Sequence, residues 1–187
     1  MTHINTHGGG AATNRNGLAF EQATETHEAM RTAGINLVQL PKRGSKLLGH
    51  EVFDKFHHRV GLQLPKGRFY KDFLEPRGVR WQNVISKKLL PDDAFINEET
   101  RTVYILEKKW QSQAGSVDEK LQGCDFKREQ YEKLCNPIGF QVVYTYVAND
   151  WFQKEQYADL RDYITRKGCF LFFNEIPLEF LGLGRCL

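Results

Sequence analysis

The clearest hydrophobic pattern along the chain is a set of short runs that are rich in β-branched and aromatic residues. Residues 140–148 form the most strand-like run, and their apolar character predicts a strand inside a sheet. Residues 89–97 and 102–109 are two further candidate strands, and the polar four-residue connection between them predicts a hairpin. A last short strand is predicted at residues 169–173, before Pro177.

The first half of the chain carries two patterns with helical spacing. Residues 17–33 contain no Pro and no internal Gly, Asn16 can cap their start, and Gly34 can end the helix. Residues 51–60 place apolar side chains at the spacing of a short second helix. The next residues, 61–80, are rich in Gly, Pro and basic side chains, which predicts mainly loop.

Two longer helices are predicted in the second half of the chain. Residues 116–135 repeat apolar side chains on a helical rhythm, although Gly123 weakens the middle of this helix. Residues 151–167 give another helix, which ends at Gly168. The resulting order of elements predicts an α/β fold in which helices flank a mixed central sheet.

The size and the hydropathy of the chain predict one soluble domain. With 187 residues and 41% apolar residues, the chain can bury a sizeable core in a single domain over residues 1–187. Residues 1–13 are predicted to be a flexible leader. No apolar run approaches the roughly 20 residues that span a bilayer, so we expect a cytoplasmic protein with no membrane segment.

Cysteine spacing gives no sign of a zinc site or of a disulfide framework. The four cysteines are widely separated and form no C-x-x-C pair; they are Cys124, Cys135, Cys169 and Cys186. We therefore expect reduced thiols that lie partly in the core.

Positive charge is concentrated in residues 41–88, which contain 12 Lys and Arg residues but only 4 Asp and Glu residues. This segment has a net charge of +8, which leaves −5 for the rest of a chain whose total is +3. Such asymmetry fits a surface that contacts DNA phosphates, and an ordinary solvated surface is the alternative. The candidate DNA-binding residues are Lys42, Arg43, Lys46, Arg68, Lys71, Arg77, Arg80, Lys87 and Lys88.

Acidic side chains occur on both strands of the predicted hairpin. Because side chains alternate along a strand, Glu107 and Lys109 project from the same face. If Asn97 pairs with Thr102, Asp92 lies directly across from Glu107, whereas a shift of one residue would put the next carboxylate there instead. Two facing carboxylates form a hard-oxygen site suited to Mg²⁺, with Mn²⁺ as a substitute, and a neighbouring Lys can orient a bound water.

An acidic residue two positions before a lysine occurs three times in the chain, so this spacing alone has little specificity. The triplet of residues 107–109 ends an apolar strand and has Pro91 and Asp92 on the partner strand. The triplets 118–120 and 125–127 fall in a predicted helix, where residues two apart do not share a face. We therefore interpret those two as surface charges.

These residues and the order of the elements resemble the PD-(D/E)XK nuclease superfamily, and within it most resemble small type II restriction endonucleases. The resemblance covers residues 14–174. It implies that Asp92 and Glu107 bind the metal and that Lys109 serves the attacking water. The doubled acid leaves Asp93 as an alternative to Asp92, which we prefer for its register and its place after Pro91.

Two further candidates follow from the same resemblance. Glu21 is similar in position to an acidic residue that the family often adds from its first helix, which makes it a candidate further metal ligand, although the helix macrodipole also favours Glu in a first turn. Gln111 follows Lys109 on the same strand face and is a possible assisting residue, with exposed edge polarity as the simpler alternative.

The expected function is therefore Mg²⁺-dependent hydrolysis of double-stranded DNA. A sequence-specific type II enzyme would suit a homodimer, because two antiparallel strands are cut symmetrically about a twofold axis. The alternatives are a repair or recombination nuclease that recognises DNA structure, and a DNA-binding subunit that does not cleave.

Overall fold

The core of the protein is a seven-stranded mixed sheet whose strands follow one another in sequence order. The computed structural model describes residues 9–42, 44, 46–113 and 117–186. The strands are β1 Asn36–Gln39, β2 His50–Phe53, β3 Arg59–Gln63, β4 Asp93–Asn97, β5 Thr102–Lys109, β6 Gln141–Ala148 and β7 Phe170–Phe173. Strands β1 to β5 form an antiparallel meander, and β6 and β7 join it in parallel.

Helices and turns cover both faces of this sheet. The α-helices are α1 Gly9–Ala23, α2 Thr26–Thr32, α3 Val117–Leu121, α4 Cys124–Cys135 and α5 Ala158–Arg166. Alternation along β5 sends Ile105 into an apolar cluster with Tyr131 of α4, whereas Leu106 joins a second cluster with Met30 of α2. The predicted α/β architecture with helices on a mixed sheet is therefore confirmed.

The first predicted helix is two helices in the structure. Helix α1 begins at Gly9, earlier than the predicted residue 17, and ends at Ala23. The Thr24 hydroxyl then donates to the carbonyl oxygen of Phe20 at 2.7 Å, and Glu25 has an extended backbone with ψ of 119°. This break separates α1 from α2, which starts at Thr26.

The predicted helix at residues 51–60 is wrong, because this segment contributes to strands β2 and β3 and to the turn between them. Asp54 closes the turn, since its Oδ1 accepts the backbone N–H groups of Phe56 and His58 at 2.8 Å each. Val52 and Val60 are buried on the sheet, whereas Phe56 is 68% exposed. Their apparent helical spacing is therefore coincidental.

Residues 61–80 are only partly loop. The segment starts inside β3, and Phe69–Leu74 forms a turn of π-helix whose aromatic side chains are buried. The strand predicted at residues 89–97 is shorter, since β4 starts only at Asp93, and the other predicted strands differ by at most one residue at their ends. Two unwound residues, Gln122 and Gly123, separate α3 from α4, and short 3₁₀ turns replace the start of the last predicted helix.

The four cysteines are buried, and none of them forms a disulfide within the described residues. Within the described residues, no helix has the length and apolar content needed to cross a membrane.

Candidate active site

The hairpin of β4 and β5 determines where the acidic residues lie. Asn97 pairs with Thr102 and Asp93 pairs with Leu106, which is the predicted register. Asp92 immediately precedes β4, and its Oδ2 accepts the backbone N–H of Lys108 at 2.9 Å. This hydrogen bond holds the Asp92 carboxylate beside the end of β5.

Lys109 joins the two carboxylates on this face of the hairpin. Its Nζ donates to Glu107 Oε2 at 2.9 Å and lies 3.6 Å from Asp92 Oδ2. The same ammonium donates to the carbonyl oxygen of Lys108 at 3.0 Å. The side chains are 10% exposed for Glu107, 15% for Lys109 and 21% for Asp92, so the cluster borders solvent while remaining largely desolvated.

The electrostatic environment favours a positive charge at this point. Burial by itself would lower the pKa of Lys109, but the carboxylates of Glu107 and Asp92 outweigh it, and the pKa is raised above its ordinary value. The carboxylates of Asp92 and Glu107 therefore both lie beside the positively charged ammonium of Lys109. Hard carboxylate oxygens in this arrangement suit Mg²⁺, which commonly takes one or two carboxylates and keeps several waters.

Asp93 and Lys108 lie on the opposite face of the hairpin from this cluster. Asp93 is 3% exposed, and its Oδ1 accepts hydrogen bonds from Gln63 Nε2 at 2.7 Å and from the Ala94 N–H at 2.8 Å. Burial raises the pKa of Asp93, an effect that the positive charge of Lys108 opposes. Asp93 is thus held inside the protein by neighbouring polar groups.

A chain of buried polar side chains continues from Asp93 across the sheet. Gln63 uses its amide nitrogen for Asp93, so its Oε1 accepts the Nδ1–H of His50, at 2.9 Å. The His27 ring stacks on His50 with a centroid distance of 5.0 Å. Burial lowers the pKa of His50, although the hydrogen bond with Gln63 acts in the other direction.

Glu21 is close to the site but is not part of the Lys109 cluster. Its carbonyl oxygen accepts the ammonium of Lys108 at 2.8 Å, which ties α1 to the face opposite Glu107. Its carboxylate Oε2 lies 3.7 Å from Lys66 Nζ. Glu21, Asp92, Asp93 and Lys108 line one cavity of about 370 Å³, to which Glu107 and Lys109 do not contribute. Within residues 9–42, 44, 46–113 and 117–186, no three His, Cys, Asp or Glu side chains are grouped as a metal site.

Gln111 lies beyond the end of β5 and is 3% exposed, so its interpretation as exposed edge polarity is wrong. Its backbone N–H donates to Asn149 Oδ1 at 3.1 Å, and Asn149 Nδ2 donates to the Gln111 carbonyl oxygen at 2.8 Å. Neither atom of the Gln111 side-chain amide has a hydrogen-bond partner among the described residues.

The predicted DNA-binding residues differ in their exposure. Arg68 is 1% exposed, forms an ion pair with Asp72 and donates to the Pro41 carbonyl oxygen at 2.8 Å, so it is an interior structural residue and not part of a basic surface. Arg77 is half-buried and lies 2.7 Å from Glu98 Oε1. Arg43 lies outside the described residues. The others reach the surface and are exposed, except that Lys88 is partly buried; they are Lys42, Lys46, Lys71, Arg80, Lys87 and Lys88.

The structure adds one residue that the sequence did not indicate. Lys127, predicted to be a surface charge, lies on α4 with its Nζ 3.6 Å from Glu107 Oε2. Helix α4 packs against β6, the neighbour of β5, on the face that carries Glu107. The sequence did contain one indication that Lys127 lies on the side of α4 that faces the sheet. Lys127 is four residues before Tyr131, and residues four apart share one side of a helix.

One of three comparisons with known proteins finds a match. A sequence model of the PD-(D/E)XK nuclease superfamily domain matches residues 23–124, which is more than half of the chain and includes Asp92, Glu107 and Lys109. Comparisons with curated proteins and with solved structures give no match. The chain belongs to the PD-(D/E)XK nuclease superfamily.

Proposed function

We propose that this protein is a Mg²⁺-dependent DNA endonuclease whose catalytic residues are Asp92, Glu107 and Lys109. The observation that carries the proposal is the convergence of two carboxylates on one ammonium at the end of β5. Lys109 Nζ lies 2.9 Å from Glu107 and 3.6 Å from Asp92, in a chain that belongs to a nuclease superfamily. Nucleases of this superfamily generally use divalent metals.

Asp92 and Glu107 would hold the metal, with Mn²⁺ as a substitute for Mg²⁺. When bound, the cation supplies Lewis acidity and offsets negative charge at the phosphate. Asp92 is kept in place by the Lys108 N–H, so its carboxylate is oriented before any ligand arrives. Lys109 contributes hydrogen-bond donors and positive charge, which orient the attacking water and stabilise the charge that develops on the phosphate.

Glu21 and Gln111 would have secondary roles. Glu21 borders the cavity that Asp92 also lines, so it can contribute negative charge from the α1 side after it separates from Lys66. The side-chain amide of Gln111 is buried just beyond the end of β5. It has no hydrogen-bond partner among the described residues. An unsatisfied buried amide is costly, which suggests that a water or a substrate atom completes its hydrogen bonds.

The substrate we propose is double-stranded DNA, cut at a specific sequence by a homodimer with twofold symmetry. The exposed basic residues between positions 42 and 88 would bind phosphates, and Arg side chains among them could also read guanine in the major groove. A nuclease that recognises DNA structure and a subunit that binds without cleaving are the competing outcomes of the test below.

The test is cleavage of supercoiled plasmid DNA in the presence of Mg²⁺. We expect discrete fragments from the wild-type protein, loss of cleavage when a chelator is added, and loss of cleavage by Glu107→Gln. Glu155→Gln is the matched control, because it removes an exposed carboxylate that is distant in sequence from the proposed site. This variant should cleave like the wild type. Cleavage that persists in excess chelator, or in folded Glu107→Gln, contradicts the proposed site.

Nicking at random positions or cleavage of branched DNA alone would reject the sequence-specific role while keeping the nuclease. Binding of DNA with no cleavage under any divalent metal would support the non-cleaving subunit instead.

A further inference from the structure

Two ammonium groups, not one, approach the carboxylate of Glu107. Lys109 Nζ lies 2.9 Å from Glu107 Oε2, and Lys127 Nζ lies 3.6 Å from the same oxygen. The two lysines come from different elements, since Lys109 ends β5 and Lys127 lies in the first turn of α4. Position 127 is therefore brought to the site by tertiary packing.

The two lysines differ in their access to solvent. The side chain of Lys127 is 28% exposed, compared with 15% for Lys109 and 10% for Glu107. Lys109 also makes a hydrogen bond to the carbonyl oxygen of Lys108 and is held from several sides. Lys127 is thus the more exposed of the two positive charges and can reach an anion that arrives from solution.

The charges around Glu107 indicate when Lys127 can leave it and bind another anion. Asp92 and Glu107 balance Lys109 and Lys127, so the cluster is neutral as it stands. A divalent cation held by the two acids would give this cluster a charge of +2 and weaken the attraction between Lys127 and Glu107. A phosphodiester of bound DNA is the anion that the proposed reaction brings to this point.

We propose that Lys127 is a phosphate-binding residue of the site, which releases Glu107 and contacts a DNA phosphate beside the scissile bond when metal and DNA are bound. This inference rests on the proposed nuclease function. It gives α4 a direct role in positioning the substrate, in addition to its packing against β6. Lysine suits this role because its ammonium acts as a compact point charge toward phosphate oxygens.

The salt dependence of DNA binding tests the inference without relying on cleavage. Each phosphate contact contributes about 0.9 to the slope of log K against log salt concentration. We would measure binding of a short DNA duplex with Ca²⁺ in place of Mg²⁺, because Ca²⁺ has a looser coordination and we expect it to permit binding with little turnover. Lys127→Met should reduce the magnitude of the slope by about 0.9, whereas Lys133→Met, an exposed lysine on the same helix, should leave it unchanged.

A structural role gives a different result. If Lys127 only balances the charge of Glu107, Lys127→Met lowers the free energy of unfolding in denaturant and leaves the salt slope of folded protein as in the wild type, and the inference is then overturned. An equal change in Lys133→Met overturns it as well. If the wild-type protein neither cleaves DNA nor binds the duplex, the proposed function fails first, which separates that failure from a failure of Lys127 alone.

Discussion

His50 is a buried residue whose protonation should be visible in the stability of the protein. It is 3% exposed, it donates to Gln63 Oε1, and the ionisable groups around it are His27, Arg31 and Asp93. Burial lowers its pKa, so the folded state takes up a proton at lower pH than the unfolded chain, whose histidines titrate near pH 6.5. The stability that His50 contributes is present above about pH 6.5 and is lost as the pH falls through its folded pKa.

The expected result is that the free energy of unfolding falls with acidification below about pH 6.5 in the wild type and falls less in His50→Asn. Asparagine keeps a donor near the position of Nδ1 but does not titrate. The measurement is urea denaturation over a series of pH values, with the exposed residue changed in His57→Asn as the control. An unchanged pH slope in His50→Asn would show that another group carries the acid sensitivity.

Single residues also show where sequence reasoning reached its limit. Alternation along β5 correctly placed Glu107 and Lys109 on one face, since that property is local. Arg68 is held in the interior by Asp72 and by the carbonyl oxygen of Pro41, which is distant in sequence. The basic composition of the surrounding segment therefore did not indicate that Arg68 is buried. Lys127 was missed for the same reason, because its contact with Glu107 joins a helix to a strand.

At the scale of elements, the contact between β3 and β4 depends on a single glycine. Gly61 pairs with Asn97, and a Cβ placed on it would lie 1.8 Å from the carbonyl oxygen of Ile96. No real side chain can occupy that position, so the two strands must separate if the glycine is replaced. Because β3 links the first hairpin to the β4–β5 hairpin, the close approach of Gly61 to Ile96 also supports the position of β4.

Gly61→Ala should therefore lower the free energy of unfolding by about 1–3 kcal/mol or more, the range for overpacking a well-packed interior. Gly67→Ala is the matched control, because a Cβ there meets no atom within 4 Å, and its stability should be close to that of the wild type. Urea denaturation of both variants measures the difference. Equal stability of Gly61→Ala and the wild type would contradict the observed packing of β3 on β4.

The register of the β4–β5 hairpin was predictable, although β4 starts at Asp93 and not at residue 89, whereas the first hairpin was not predicted. The run from Thr102 to Lys109 is mainly apolar and follows a polar connection, which indicated the strand, and the assumed pair of Asn97 with Thr102 gave its register. In the segment 51–60, Val52 and Val60 suit a helical spacing and a strand equally well. The turn at Asp54 decides between them through backbone hydrogen bonds that the hydrophobic pattern does not contain.

At the scale of the whole molecule, the sheet separates two polar environments. One face of the hairpin carries Asp92, Glu107 and Lys109 at the border with solvent, and α4 adds Lys127. The other face carries Asp93 in a buried network that leads to His50. The two adjacent acids, which the sequence could separate only by assuming a register, therefore have different surroundings.

The central claim is that Asp92, and not Asp93, acts with Glu107 in metal-dependent cleavage. The direct measurement is the rate of DNA cleavage at a fixed Mg²⁺ concentration for folded Asp92→Asn and Asp93→Asn. We predict that Asp92→Asn loses at least roughly 100-fold in rate, because one carboxylate of the metal site is gone, while Asp93→Asn stays within roughly tenfold of the wild type. A dead Asp93→Asn beside an active Asp92→Asn, or full activity in both, would contradict this account.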